Sequence, residues 1–142
     1  MALAKRESRV PGKIPEEMGW DEAERAQVGA MSSETIELDG MVATRHRIPQ
    51  GFDSAPFYRG LPDDMCPCQH WCYLATGKLR YRFADGEALT VKTGDAFYVR
   101  AGHLAAVLED TELIEFTPVA EYRRKTEHLA RRARSDNRPA DD

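Results

Sequence analysis

Hydrophobic and polar residues alternate along the middle of the chain. Leu79, Tyr81 and Phe83 are separated by cationic residues, and a period of two places the apolar side chains on one face of a β-strand. Comparable runs occupy residues 36–38, 41–48, 89–91, 96–99, 104–108 and 113–116. Turn formers such as Asp39-Gly40 and Asp85-Gly86 separate them, and residues 109–111 are predicted to form a further turn. Short strands at this spacing predict an all-β, antiparallel sandwich or barrel between residues 35 and 118.

The pattern is different on both sides of the predicted barrel. Residues 1–34 are rich in charge and contain several prolines and glycines, so we expect an N-terminal arm that is partly disordered. Residues 119–142 are rich in Glu, Arg, Lys and Ala, with Leu129 the lone large apolar residue. This composition predicts a short, solvated C-terminal helix at 121–133 and a disordered tail. Within the barrel, the glycines, prolines and aspartates of residues 50–64 predict a long loop.

Composition limits the classes of partner. The chain has 142 residues, of which 42% are hydrophobic, enough for the core of a single domain. A net charge of −4 provides no positive field for nucleic acid or for an anionic membrane, and the apolar runs are too short to span a bilayer. Three cysteines without an N-terminal signal segment indicate reduced thiols in a cytoplasmic protein.

Metal-ligating side chains are concentrated in one segment. Cys66, Cys68, His70 and Cys72 lie within seven residues and include every cysteine of the chain. Thiolate and imidazole are strong ligands of soft and borderline metals, so the segment is a candidate metal site. The alternative is that the cysteines are small buried hydrophobic residues and the histidine is a hydrogen-bonded core residue.

Two motifs resemble those of the cupin superfamily. Residues 94–95, followed after four residues by Arg100-Ala101-Gly102-His103, resemble the second cupin motif, and residues 66–77 resemble the first. The resemblance covers residues 35–118 and implies a cupin-type β-barrel, or jelly roll, that holds a divalent metal. In that family the first motif supplies two histidines and a glutamate, and the second supplies a third histidine. The chain also resembles, more loosely, zinc-binding cupins that form hydrazines.

The ligand set that this resemblance implies differs from that of the family. The glutamate position falls on His70, and the two preceding histidine positions fall on Cys66 and Asp64. The third histidine position is Ala105, but His103 lies two residues earlier and therefore on the same strand face. The resemblance thus implies a metal bound by Cys66, His70 and His103, with Cys68 as a candidate fourth ligand and Cys72 as a non-ligand.

Ligand softness predicts which metal binds. One thiolate with two imidazoles favours zinc, and iron is the alternative. Three protein ligands would leave a position open for water or substrate, whereas four would make a closed structural site.

Other residues have two interpretations each. The aromatic residues Trp71, Tyr73, Tyr81 and Tyr98 either line a ligand pocket or, the favoured interpretation, form core. Glu115 either points into the barrel as a general base or, the favoured interpretation, lies on the wet face. The remaining candidates are polar: His46 is expected at a strand surface or pocket edge, His128 in solvent, and Asp63 and Asp64 in a turn or beside the metal ligands.

Three functional classes are compatible with these residues. The first is an enzyme in which the metal acts on a small organic molecule as a Lewis acid or activates water; no catalytic residue is assigned. The second is a sensor or binding protein for metal or a small molecule, without turnover. The third is a structural cupin in which zinc only stabilises the folded barrel. Because barrel edges often pair across a two-fold axis, we also expect a homodimer.

Overall fold

The computed structural model describes residues 19–136, whose strands form one antiparallel sheet. The strands are β1 (Glu24–Val28), β2 (Met31–Leu38), β3 (Met41–Ile48), β4 (His70–Phe83), β5 (Ala88–Lys92), β6 (Ala96–Val99) and β7 (His103–Pro118). Helix α1 (Val119–Asp136) follows, and 3₁₀ turns occur at Trp20–Glu22, Ala55–Phe57 and Pro62–Asp64. The predicted all-β class with a C-terminal helix is confirmed. Among the described residues, no helix is long and apolar enough to cross a membrane.

Strands β4 and β7 form the centre of the sheet. The order is β1-β2-β3-β7-β4-β5, and β6 pairs with the first part of β4. Residues 71–74 of β4 pair with 113–116 of β7, and residues 79–83 pair with 103–107. Side chains from β1, β2, β3, β4 and β7 all face one cavity, so the sheet curls around an interior space.

A β-bulge at Gly77 changes which side chains of β4 point inward. Before the bulge, the even-numbered residues His70, Cys72 and Leu74 are buried. After the bulge, the odd-numbered residues Leu79 and Tyr81 are buried instead. The pairing register with β7 shifts across the same segment. Gly77 has φ +110°, and a Cβ atom there would lie 2.6 Å from the Asp110 carbonyl oxygen. The bulge therefore requires glycine, because it brings two backbones too close for any side chain.

The predicted turn at residues 109–111 is wrong, because β7 runs through it as one strand. Thr111 pairs with Ile48 of β3, and Glu109 pairs with Lys78 of β4. Pairing on both sides of the strand outweighs the local turn preference of this acidic segment.

The sheet also begins earlier than the alternation indicates. The predicted arm ended at residue 34, but β1 and the first residues of β2 pair within it. Four of the five β1 residues are exposed, so an edge strand of this kind has no hydrophobic period to detect. The prediction of disorder falls on residues 1–18 and 137–142, which lie outside the described residues. The loop at 50–64 is present, and its backbone bonds to the edge of β7.

Helix α1 packs on the barrel, which the sequence did not predict. The Gln69 backbone N–H donates to the Glu121 carboxylate at 3.0 Å. Arg132 donates to the Pro56 carbonyl at 2.7 Å, and the His128 ring nitrogen bonds to the Arg59 carbonyl at 3.0 Å. His128 is therefore held against the loop at 50–64, and the helix covers the cavity.

Candidate metal centre

The cavity inside the barrel has a volume of about 220 Å³. Most of its lining is apolar, including Ile48, Leu79 and Leu113. His103 and Ala105 both line it, as the period of two on β7 predicts. A mostly apolar cavity with a few convergent polar groups is the usual form of a small-molecule site.

Three candidate ligands converge beside this cavity. Cys66, His70 and His103 each offer one donor atom, and these atoms all lie within 4.8 Å of one another. The Cys66 Sγ and His70 Nε2 atoms are 3.7 Å apart. All three residues are at most 4% exposed. Two of them, His70 and His103, line the cavity, whereas Cys66 lies outside its lining.

Backbone hydrogen bonds place Cys66 beside His103. The Cys66 N–H donates to the His103 carbonyl at 2.9 Å, and the Gly102 N–H donates to the Cys66 carbonyl at 2.8 Å. The residues thus form an isolated antiparallel bridge. Strands β4 and β7 pair antiparallel, with residue 71 opposite residue 116 and residue 83 opposite residue 103, so this pairing alone leaves His70 and His103 at opposite ends. The bridge at Cys66, four residues before His70, brings the two histidine rings together, with centroids 5.0 Å apart.

The other ring nitrogens are engaged by neighbouring groups. His103 Nδ1 donates to the Arg100 carbonyl at 2.8 Å, and His70 Nδ1 is 2.7 Å from the Thr117 hydroxyl. The Nε2 atom of each ring is therefore the one that would bind a metal, as is usual for metal-binding histidines. Sulfur and nitrogen ligands of a tetrahedral zinc lie about 3.6 Å apart, close to the observed Cys66–His70 distance. The donor set therefore fits a zinc ion.

The charge states of Cys66 and His103 are linked. The pKa of Cys66 is well below its usual range, because hydrogen bonds from Cys68, His103 and His70 outweigh the opposing effect of burial. Burial lowers the pKa of His103. The hydrogen bond to Cys66 and the charge of that group raise the pKa by more than burial lowers it, so the net shift is upward. Both shifts favour the charged forms, a thiolate beside an imidazolium.

Zinc affinity is expected to fall as the pH is lowered through the neutral range. His103, whose pKa is raised in the metal-free protein, must release its proton to bind zinc, and the lowered pKa of Cys66 favours the thiolate that binds the metal. Below the pKa of the released group, affinity falls about tenfold per pH unit for each proton displaced. Competition with a zinc-binding dye between about pH 6 and about pH 8 measures this. Equal affinity over that range would contradict the assignment of His103 as a ligand.

The other two cysteines lie outside the three-residue group. Cys68 is fully buried, and its Sγ atom is 3.4 Å from the Glu121 carbonyl of α1. A hydrogen bond to Cys66, together with burial, raises the pKa of Cys68, so it remains a thiol and a donor. Cys72 packs in the hydrophobic core with Ile48 and Leu74. Its expected role as a non-ligand stays a prediction.

Glu115 points inward, so the favoured wet-face interpretation is wrong. It is 7% exposed and lines the cavity. Its carboxylate is 2.9 Å from His46 Nε2 and 3.8 Å from His70 Nε2, and the Ser33 hydroxyl is 2.7 Å from His46 Nδ1. Burial raises the pKa of Glu115, but the charges of His70 and His46 outweigh it and hold the pKa far below its usual range. Glu115 is an ionised carboxylate at the cavity wall.

The remaining candidates divide between interior and surface. Tyr81 is buried and lines the cavity, but Trp71, Tyr73 and Tyr98 are exposed on the outer face, so neither sequence interpretation holds for them. Asp63 and Asp64 are also exposed. Asp64 accepts a hydrogen bond from the Gly60 N–H at 2.8 Å, as expected of a turn residue.

Two lining groups were missed in the sequence. Tyr58 comes from the loop at 50–64, and Lys125 comes from α1. The α1 residues that line the cavity are Tyr122, Lys125, Thr126 and Leu129. The last three follow the first by three, four and seven residues, so all four lie on one face of the helix. This spacing was the signal in the sequence that the helix packs on the barrel.

Comparisons with known proteins give matches among solved structures. No family model matches the chain, and no curated protein matches it. A cupin described as RmlC-like, from Shewanella frigidimarina, has a TM-score of 0.54 at 16% identity, over 75% of this chain and 91% of that one. KdgF from Halomonas sp. has a TM-score of 0.52 at 20% identity, over 69% and 89%.

Oxalate decarboxylases show a similar structural likeness over part of their length. The Lactobacillus farciminis enzyme, solved as a formate complex, has a TM-score of 0.54 at 14% identity, over 71% of this chain and 32% of that one. The Bacillus subtilis enzyme, whose structure concerns Mn(II) centres, has a TM-score of 0.55 at 15% identity, over 71% and 28%. This chain thus spans about a third or less of those enzymes. Together the matches show that the described strands have the cupin jelly-roll fold.

Proposed function

We propose that this cupin binds one divalent metal through Cys66, His70 and His103 and acts on a small organic molecule held in the barrel. The observation that carries the proposal is the convergence of three buried donor atoms within 4.8 Å of one another. Two of the three ligands line the cavity, which supports a site that a small molecule can reach. Zinc is the proposed metal, with iron as the alternative, because a thiolate is among the donors.

The metal would supply Lewis acidity or a water molecule with a lowered pKa. The residues of the chain contribute the rest of the chemistry. Glu115 is ionised and hydrogen-bonded to His46, so its second oxygen, 3.8 Å from His70 Nε2, is available to accept a hydrogen bond from a group in the cavity. The apolar lining and α1 limit the entry of water, which strengthens each of these electrostatic interactions.

An open coordination position distinguishes an enzyme or a small-molecule sensor from a structural zinc site. In cobalt(II)-substituted protein, we expect added azide to change the visible spectrum, because three protein ligands leave one position open. An unchanged spectrum would indicate a closed, four-ligand centre and would contradict the proposed function.

Metal removal provides the second part of this test. Since the barrel has its own hydrophobic core, we expect the chelator-treated protein to keep its β-sheet circular dichroism spectrum. Unfolding on metal removal would favour the structural zinc site over the proposed function. A sensor without turnover remains the second candidate function.

The proposal extends to assembly and location. We propose a homodimer, which is supported by the position of β1 at the edge of the sheet. Its outer backbone groups have no strand partner among residues 19–136, and such an edge is a common place for a second copy to pair. We propose a cytoplasmic location, which is supported by the three cysteines, all of them free.

A further inference from the structure

Lys125 is buried in the wall of the cavity. Its side chain comes from α1, and the residue is 8% exposed. It lines the same space as His70, His103 and Glu115. Lysine is almost never this buried without a partner, so the position calls for a physical reason.

The ammonium group of Lys125 makes no hydrogen bond or ion pair with any of the described residues. The Tyr122 ring lies beside it, with its centroid 5.3 Å from Nζ. Other cations of the barrel have carboxylate partners: Arg45 pairs with Glu34 at 2.9 Å, and Arg100 with Asp85 at 2.7 Å. An ammonium has three donors, and in Lys125, which lines the cavity, they are left for a group inside that cavity.

The charge of Lys125 is retained in this environment. Burial lowers the pKa of Lys125. The nearby Tyr58, Cys66 and Glu115 raise the pKa by more than burial lowers it, so the net shift is upward. Among residues 19–136, Glu115 forms no ion pair with Lys125, and neither Tyr58 nor Cys66 is hydrogen-bonded to it. With a divalent metal neutralising Cys66, the positive charges of the metal and Lys125 would exceed the negative charge of Glu115. The loaded cavity therefore favours an anion.

Helix α1 holds Lys125 in this position. On one side of Lys125, Glu121 bonds to Gln69 just before β4; on the other side, His128 and Arg132 bond to the loop at 50–64. A positioned charge gives more affinity than a mobile one, because less side-chain entropy is lost on binding.

We propose that Lys125 is an anion-binding residue of the cavity and that the small molecule bound there carries a carboxylate. This inference rests on the proposed function, since it names the substrate class of the same site. A carboxylate accepts charge-assisted hydrogen bonds from an ammonium, and the cavity of about 220 Å³ limits the ligand to a small organic acid.

Binding of a carboxylate and its neutral amide tests the proposal. Benzoate and benzamide have similar size, as have acetate and acetamide, so each pair isolates the charge. In calorimetric titrations of the zinc-loaded full chain, we expect Lys125→Met to weaken carboxylate binding about 10- to 100-fold. The amide should bind wild type and variant alike, and Lys125→Arg should restore part of the carboxylate affinity because it keeps the charge.

Arg124→Met is the matched control. Arg124 is the exposed neighbour of Lys125 on α1, so its removal changes the net charge equally without reaching the cavity. We expect it to leave carboxylate binding unchanged. Equal carboxylate affinities of wild type and Lys125→Met would overturn the proposal, and so would a wild type that binds neither carboxylate at millimolar concentration.

Zinc content separates this inference from the proposed function. Lys125→Met is expected to retain zinc, as measured by elemental analysis of each sample. Zinc-loaded proteins that bind carboxylates without any dependence on Lys125 would overturn the anion site alone. A zinc-free wild type with a Lys125-dependent preference for carboxylates would overturn the metal centre and leave the anion site standing.

Discussion

Purified wild type is expected to contain one equivalent of zinc, and purified Cys66→Ser is expected to contain no stoichiometric zinc. Serine is a far poorer zinc ligand than a thiolate at neutral pH, and the two remaining imidazoles bind the metal only weakly. His103→Ala should lose zinc as well, because it removes a donor of the same three-residue group. Elemental analysis of dialysed protein measures the zinc content directly.

Cys72→Ser is the matched control for Cys66→Ser, since the substitution is the same and Cys72 lies in the hydrophobic core. It should keep zinc at some cost in stability, because the hydroxyl is buried. Cys68→Ser should also keep zinc if three ligands suffice, and loss of metal there would make Cys68 the fourth ligand. A metal-free wild type, or equal zinc in all variants, would show that the cluster is core packing.

Gly77→Ala is expected to lower the free energy of unfolding by roughly 3–5 kcal/mol. The residue has φ +110°, and the added Cβ would lie 2.6 Å from the Asp110 carbonyl oxygen. Strand β7 would have to move away from β4 to admit the methyl group. Urea unfolding monitored by circular dichroism measures the loss.

Gly86→Ala separates the close approach from the backbone conformation. Gly86 also has a positive φ, +88°, but no atom lies within 4 Å of its Cβ position. We expect this variant to lose only about 1 kcal/mol. Similar losses in the two variants would contradict the close packing assigned to the bulge at Gly77.

Much of the barrel could be predicted from the sequence, because strand geometry is local. Side chains two apart point to the same face of any strand. The alternation of Leu79 and Tyr81 therefore predicted a strand with a buried face, and His103 was correctly placed on the face of Ala105. The clustering of Cys66 with His70 needed no tertiary information either, since both lie in one short segment.

The orientation of each face required the folded structure. Alternation shows which residues share a face of a strand. Which of the two faces is buried depends on the elements that pack against that strand. Glu115 shares its face with Leu113, yet its charge favoured solvent; in the fold, His46 and His70 compensate for its burial. Similarly, the reversal of the inward face of β4 at Gly77 arises from its pairing with β7.

Contacts between distant segments were likewise decided only by the tertiary structure. Pro67 breaks the local period, so the sequence could not show which thiol points toward the histidines; the backbone bridge between Cys66 and His103 determines it. Lys125 belongs to a charged helix that by its composition suits solvent, and it is buried because α1 covers the cavity. The sequence determined which residues could form strands and ligate a metal, because those properties depend on near neighbours. The tertiary structure decided which residues meet, because pairing joins segments that are far apart in the chain.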